Sequence, residues 1–249
     1  MAADIEAAIF DMRSESKRIQ LMRFFKTAPG EYGFGDQFLG VTAPQVRLVV
    51  KEAKHHVGLD QVHLLIQSPY HEVRLCGFLL LVEMMLDARP KKRIDSGAQA
   101  IRRAEIARFY LDHARQANNW DLVDMSCPKI LGSYLVYPNA DGQMPSLQIL
   151  HDLAASSNLW EQRIAMVTNW MLIRHGIFQP TIDIALKLLN HPHDLIHKAV
   201  GWMLRELGKR QPDMLHHFLN QHIADLHRTT LRYAIELLPQ DQRQAYLHM

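Results

Sequence analysis

Cysteine is nearly missing from this chain: Cys76 and Cys127 are the only two among 249 residues. Two thiols cannot build a disulfide framework, and their scarcity points to a reducing, cytoplasmic setting. Excess charge is missing as well. The formal net charge is +2, so no bulk field marks a nucleic-acid binder and any basic surface must be local. Long apolar runs are also lacking. The richest, LCGFLLLVEMML at 75–86, is interrupted by Glu83 and too short to span a bilayer. The opening MAADIEAAIFDMRSESKR lacks the apolar core of a secretory signal. With 48% hydrophobic and 22% charged residues, the expectation is a soluble protein with a well-filled core and no membrane partner.

Several chemistries are excluded by pattern. Despite 15 histidines there is no HExxH or CxxC spacing, and HPHDLIH supplies only the His193/His197 pair one turn apart. No metal is expected. PGEYGFGDQFLG (29–40) is glycine-rich, but it lacks Walker spacing and no lysine follows. It reads as a connection between the first two helices, with Tyr32, Phe34 and Phe38 available to cover something. No GxSxG elbow or Cys/His nucleophile pair occurs. No cofactor is expected either.

Period-2 runs are absent, whereas the 3.6-residue apolar period recurs almost throughout. Pro44, Pro180 and Pro212 are among the prolines that stand where helical patterns begin and a missing N–H costs least. Three segments resemble one another: SPYHEVRLCGFLLLVEMM (68–85), SNLWEQRIAMVTNWMLIR (157–174) and HPHDLIHKAVGWMLRELGK (191–209). Each opens with a polar turn and carries a basic residue (Arg74, Arg163, Lys198) about one turn into an apolar helix. Paired helices of this length predict an all-α fold, an α-solenoid superhelix of HEAT-like repeats forming one domain over 1–249. Equivalent positions then line a concave groove. Arg74, Arg163 and Lys198 read either as a basic stripe suited to a phosphate backbone or as ordinary surface charge on amphipathic helices.

NNWDLVD (118–124) is the stretch richest in chemistry. Asn119 is a natural N-cap, and Asp121 in the first turn complements the helix dipole, a sufficient structural reason for both. Trp120 and Asp124 are four apart and share a face. Pro128, four further on, cannot donate to the Asp124 carbonyl, so the helix should loosen there. An indole beside a carboxylate suits a cationic ligand, although a core tryptophan next to a solvated aspartate is the plainer alternative. Trp202 sits four residues after Lys198 and three before Arg205, flanked by basic residues on its own face. Trp160 and Trp170 read as packing residues.

FFKTAPGEYGFGDQFLGV, NNWDLVD followed by Pro128, LWEQRIAMV and KAVGWMLRELGK together resemble, in order and over nearly the whole chain, the AlkD family of bacterial DNA alkylation-repair glycosylases. The resemblance implies an α-solenoid whose concave groove holds alkylated double-stranded DNA. It implies hydrolytic removal of cationic bases such as 3-methyladenine and 7-methylguanine during base excision repair, by a monomer acting in the bacterial cytoplasm and nucleoid. By motif, Asp124 matches the family's catalytic aspartate, Trp120 and Trp202 its stacking tryptophans, and Arg163 the arginine near that aspartate. Arg205 matches a basic residue on the DNA backbone, Tyr32 an N-terminal tyrosine, and Lys198 and Arg74 join them as DNA contacts. Asp194 and Leu195 stand where relatives can carry aromatic residues. Non-catalytic alternatives are a HEAT-repeat protein binding damaged or branched DNA, and a HEAT scaffold binding protein.

Overall fold

The computed structural model describes residues 1–90 and 97–249. Among them the fold is all-helical, of the α-solenoid repeat kind, and the lone backbone bridge joins Gln37 to Tyr70. The helices gather into two compact units, Met1–Ile130 with Asn139–Asp141, and Leu131–Pro138 with Gly142–Met249.

The first unit holds α1 (Ala2–Asp11), α2 (Glu15–Phe24), α3 (Ala43–Ala53), α4 (Leu59–Ile66), α5 (His71–Asp87), α6 (Gly97–Asp112) and α7 (Trp120–Ser126). Its centre is α5. Leu75, Cys76, Phe78, Leu79, Leu80, Leu81 and Val82 are all buried, so no side of that stretch faces water. A helix apolar on every side must be wrapped, and α3, α4, α6 and α7 pack against it. Gly77 lets α4 close in: a Cβ there would lie 2.9 Å from the Ile66 side chain and 3.2 Å from its backbone nitrogen. Residues 1–24 already form two helices, so the 29–40 connection joins the second helix to the third rather than the first to the second.

The second unit holds α8 (Leu131–Leu135), α9 (Gln148–Ala155), α10 (Leu159–Val167), α11 (Asn169–Arg174), α12 (Gln179–Lys187), α13 (Asp194–Gly208), α14 (Pro212–His222), α15 (Arg228–Ala234) and α16 (Gln240–His248). Ile196, Ala199, Val200, Met203, Leu204 and Leu207 give α13 a buried stripe at helical spacing, and α10, α12, α14 and α15 cover it. Each of the three similar segments opens a helix. Arg74 is on α5, Arg163 on α10 and Lys198 on α13, each helix packed against the one before it.

Histidines start two helices of the second unit. His193 Nδ1 accepts from the Leu195 N–H at 3.1 Å, and His227 Nδ1 from the Thr229 N–H at 3.2 Å. Both caps need an unprotonated nitrogen. His197 stacks on His227 with centroids 4.0 Å apart. Burial holds His191, His193 and His197 below the ordinary histidine value; the neighbouring His227 adds to this at His197. A lowered folded-state pKa means the unfolded chain binds these protons first, so their stability contribution is full above about pH 6.5 and lost as pH falls through the lowered values. The urea midpoint is therefore expected to drop between pH 7.5 and pH 5. The variant His193→Asn, which keeps a cap acceptor that does not titrate, should show a smaller drop.

Candidate active site

Helix α7 begins as its sequence dictates. Asn119 is the N-cap, its side chain accepting from the Trp120 N–H at 2.9 Å. The helix closes at Ser126, two residues before Pro128. Trp120 and Asp124 lie one turn apart, both half-buried. They line a cavity of about 270 Å³ together with Phe24, Phe25, Phe38 and His71. The Trp120 ring stacks on Phe25 at 5.4 Å and meets the edge of Phe24 at 5.8 Å. The wall is thus aromatic, with a carboxylate set in it.

Continuous with that wall is a buried ionic network, of which His71 and Asp121 themselves line the cavity. His71, the first residue of α5, has Nδ1 2.7 Å from Asp36 Oδ2 and Nε2 2.9 Å from Asp121 Oδ2. Its ring is stacked on Phe38 at 4.4 Å and lies 5.0 Å from Phe25. Burial opposes the imidazolium, but Asp121 and Asp36 outweigh it and raise the pKa to about 9. The same contacts with His71, joined by Arg74, hold the Asp36 carboxyl below its ordinary value against the opposing effect of burial. Arg74 donates through Nη2 to Asp36 Oδ1 at 2.5 Å and to Asn118 Oδ1 at 2.9 Å, and through Nη1 to the carbonyls of Ser68 and Pro69, both at 3.0 Å.

Next to His71, Glu72 is 2% exposed. Its carboxylate accepts three successive backbone N–H groups, from Leu39 at 2.9 Å, Gly40 at 2.8 Å and Val41 at 3.1 Å. Gly40 has φ +82°, and a Cβ there would sit 2.0 Å from the Ser14 carbonyl oxygen. The connection that carries Asp36 and Phe38 is therefore fastened to α5 at a point only glycine can occupy.

These observations revise three readings of the sequence. Asp121 is more than a first-turn charge, because its carboxylate is buried against His71. Arg74 does not present a free cation to solvent: its guanidinium is buried and bonded to Asp36, Asn118 and two carbonyls. The stripe is broken at Arg163 too, which is 5% exposed and donates to the Leu195 carbonyl at 2.6 Å. Asp36, His71 and Glu72 escaped the sequence reading. The signal available was HEVR itself, three ionisable residues opening a helix too apolar to leave them unpartnered.

The remaining candidates lie in the second unit or at the edge of the first. Trp202 is half-buried on α13. Gly201 beside it is required by packing, since a Cβ would lie 2.6 Å from the Thr230 carbonyl oxygen on α15. Arg205 is paired with Glu236, and Lys198 with Asp194 at 2.8 Å. Tyr32 is half-buried, and Phe34 is 65% exposed rather than covering anything. Trp160 is buried, while Trp170 carries the Arg174 guanidinium 4.7 Å above its ring. A larger depression of about 740 Å³ runs along α2, but two of its cations already have acidic partners, Arg18 with Glu15 and Lys26 with Glu31. Among the described residues no cluster of three or more His, Cys, Asp or Glu could hold a metal ion, and no helix is long and apolar enough to cross a membrane.

The family model described as DNA alkylation repair enzyme matches residues 5–238. The chain belongs to that family. The resemblance carried by the sequence motifs is thereby borne out, and DNA is the partner that membership implies. A solved structure described as a predicted DNA alkylation repair enzyme from Enterococcus faecalis shares the fold. It superposes with a TM-score of 0.64 at 18% identity, covering 92% of this chain and 98% of the other. No curated protein matches the sequence.

Proposed function

We propose that this protein is a monofunctional DNA glycosylase that hydrolyses the N-glycosidic bond of cationic alkylated purines, 3-methyladenine and 7-methylguanine among them, in duplex DNA. The observation that carries the reading is the pairing of Trp120 and Asp124 on one wall of the aromatic cavity in unit 1. Alkylation at N3 or N7 makes the purine cationic, so the base departs neutral and needs no strong general acid. The sugar left behind develops oxocarbenium character. A fixed carboxylate stabilises that charge and orients the attacking water, two roles Asp124 can combine. An indole face attracts the cationic lesion and covers the deoxyribose, contributing roughly 1–3 kcal/mol per stacked contact.

Cations near the cavity support an anionic partner. Arg47 Nη2 reaches the sulfur of Met125, a lining residue, at 3.5 Å. The Lys129 ammonium is held below the usual lysine range by burial and then by the Arg47 charge. Cations crowded in this way bind phosphate well. In the second unit, Trp202 and Arg163 take the catalytic roles that the resemblance implies, with Arg205 and Lys198 as backbone contacts. The ion pairs of those two cations are partly exposed and therefore readily exchanged for phosphate. Tyr32 is a further DNA contact; Arg74 supports the site from within. The protein acts as a cytoplasmic, nucleoid-associated monomer.

The test is incubation with duplexes carrying single defined lesions, with release of free base measured alongside binding across a salt series. Excision of cationic purines with binding that weakens steeply in salt is expected. Tight, salt-sensitive binding without release is the outcome of a non-catalytic DNA-binding protein.

A further inference from the structure

The Asp36–His71–Asp121 network does more than fill space at the cavity. His71 Nε2 is the one side-chain group that hydrogen-bonds Asp121 among the described residues: Oδ2 takes that bond, and Oδ1 is buried without a partner. Asp121 follows Trp120 directly and precedes Asp124 by three residues on the same short helix. His71 also lies against Phe25, on which Trp120 stacks. Its own position is fixed from three sides. Its backbone N–H donates to the Gln37 carbonyl at 2.7 Å, Phe38 stacks on its ring, and Asp36 takes its second nitrogen. One imidazole thus joins the start of α5, the 29–40 connection and the first turn of α7.

We propose that His71 is a positioning residue for base excision, setting the place of Trp120 through Phe25 and the place of Asp124 through Asp121. The inference rests on the glycosylase reading for its rate effects but not for its structural ones. With both ring nitrogens protonated, His71 donates to two carboxylates at once, and Asp36, His71, Asp121 and Arg74 together carry no net charge. The charged groups facing the ring are Asp36 from the connection and Asp121 from α7; Glu72 and Arg74 flank it on α5, while its two faces meet the uncharged Phe25 and Phe38. Loss of the Nε2 proton leaves a lone pair aimed at Asp121 Oδ2, whereas Asp36 is still held by Arg74. Asp121 is then released, and α7 loses the tether that orients it. Displacement of a catalytic group by about 1 Å is enough to lower a rate roughly a hundredfold.

The experiment has two arms. In the first, the protein is labelled with 5-fluorotryptophan, the Trp120 resonance is identified from its loss in Trp120→Phe, and it is followed from pH 7 to pH 10. It should move with a midpoint near the His71 value of about 9, and in His71→Gln the movement should vanish. In the second, single-turnover release of 7-methylguanine from duplex DNA is compared for the unaltered protein, His71→Gln and Asp121→Asn. Release should fall at least about tenfold in both variants with duplex affinity changed less than about threefold, and only the unaltered protein should lose rate as pH rises toward 9.5. A Trp120 resonance that does not titrate overturns the proposal without His71→Gln or Asp121→Asn having to fold. Variants that release base within about twofold of the unaltered rate overturn it as well. If the unaltered protein releases no base, the glycosylase reading fails, and the fluorine titration still decides whether His71 positions Trp120.

Discussion

Asp124→Asn is expected to lower the rate of base release from alkylated duplex DNA by a hundredfold or more while leaving duplex affinity within about threefold. Removal of one preorganised electrostatic stabiliser costs about 10²–10³ in rate in well-studied enzymes, and in the proposed mechanism the same carboxylate also orients the water. The substitution is nearly isosteric. Asp124 is half-buried at the wall of the cavity, so the asparagine fits where the aspartate was. The loss should fall on the chemical step, visible as a lowered single-turnover rate at saturating protein. A variant that keeps full activity would remove Asp124 from the mechanism and move attention to the other carboxylates of the first unit.

The largest effect on stability is expected from Glu72→Ala. Three backbone N–H groups, those of Leu39, Gly40 and Val41, converge on this carboxylate in a buried setting. Truncation leaves all three donors without a partner, at about 1–3 kcal/mol each. Some relaxation toward solvent is available to the connection, so a total near 3–5 kcal/mol is expected, at the upper end for single substitutions. In a chain of this size that corresponds to a fall of roughly 10 °C or more in melting temperature. Glu72→Gln keeps an acceptor oxygen and should cost less than half as much. Thermal unfolding of the two variants beside the unaltered protein measures this, and a shift below about 2 °C for the alanine variant would mean the 39–41 backbone is held by something other than Glu72. Because Phe38 precedes these residues and packs on His71, the alanine variant should also lose base release before it loses helix content.

What could be read from the sequence follows the range of the interactions involved. The helix start at Asn119 is a local matter, decided by a side chain and the next N–H, and one stretch of seven residues discloses it. The shared face of Trp120 and Asp124 is equally local, a consequence of helical spacing. Family membership was legible because several such stretches occur in a fixed order. Asp121 is different. The group that gives it meaning, His71, lies 50 residues upstream, and nothing within NNWDLVD announces it. Arg74 was misread for the same reason, since Asp36 is 38 residues away in a connection that looked like plain loop. Periodicity assigns a basic residue near a helix start to the surface, and a buried guanidinium needs carboxylate and carbonyl partners that only the folded chain supplies. The role of Gly40 is of this kind too, because the Ser14 carbonyl that excludes a Cβ comes from an earlier helix cap.

Whether this protein breaks a glycosidic bond decides between a repair enzyme and a DNA-binding protein. A duplex with one 7-methylguanine, incubated with excess protein, should yield free 7-methylguanine detectable by mass spectrometry and an abasic site cleavable by mild alkali. The rate should exceed that of spontaneous depurination by well over a hundredfold and should not depend on added metal. Recovery of intact lesion from tightly bound DNA, with no free base above the spontaneous level, would contradict the account and leave a protein of the repair family that binds its substrate without cutting it.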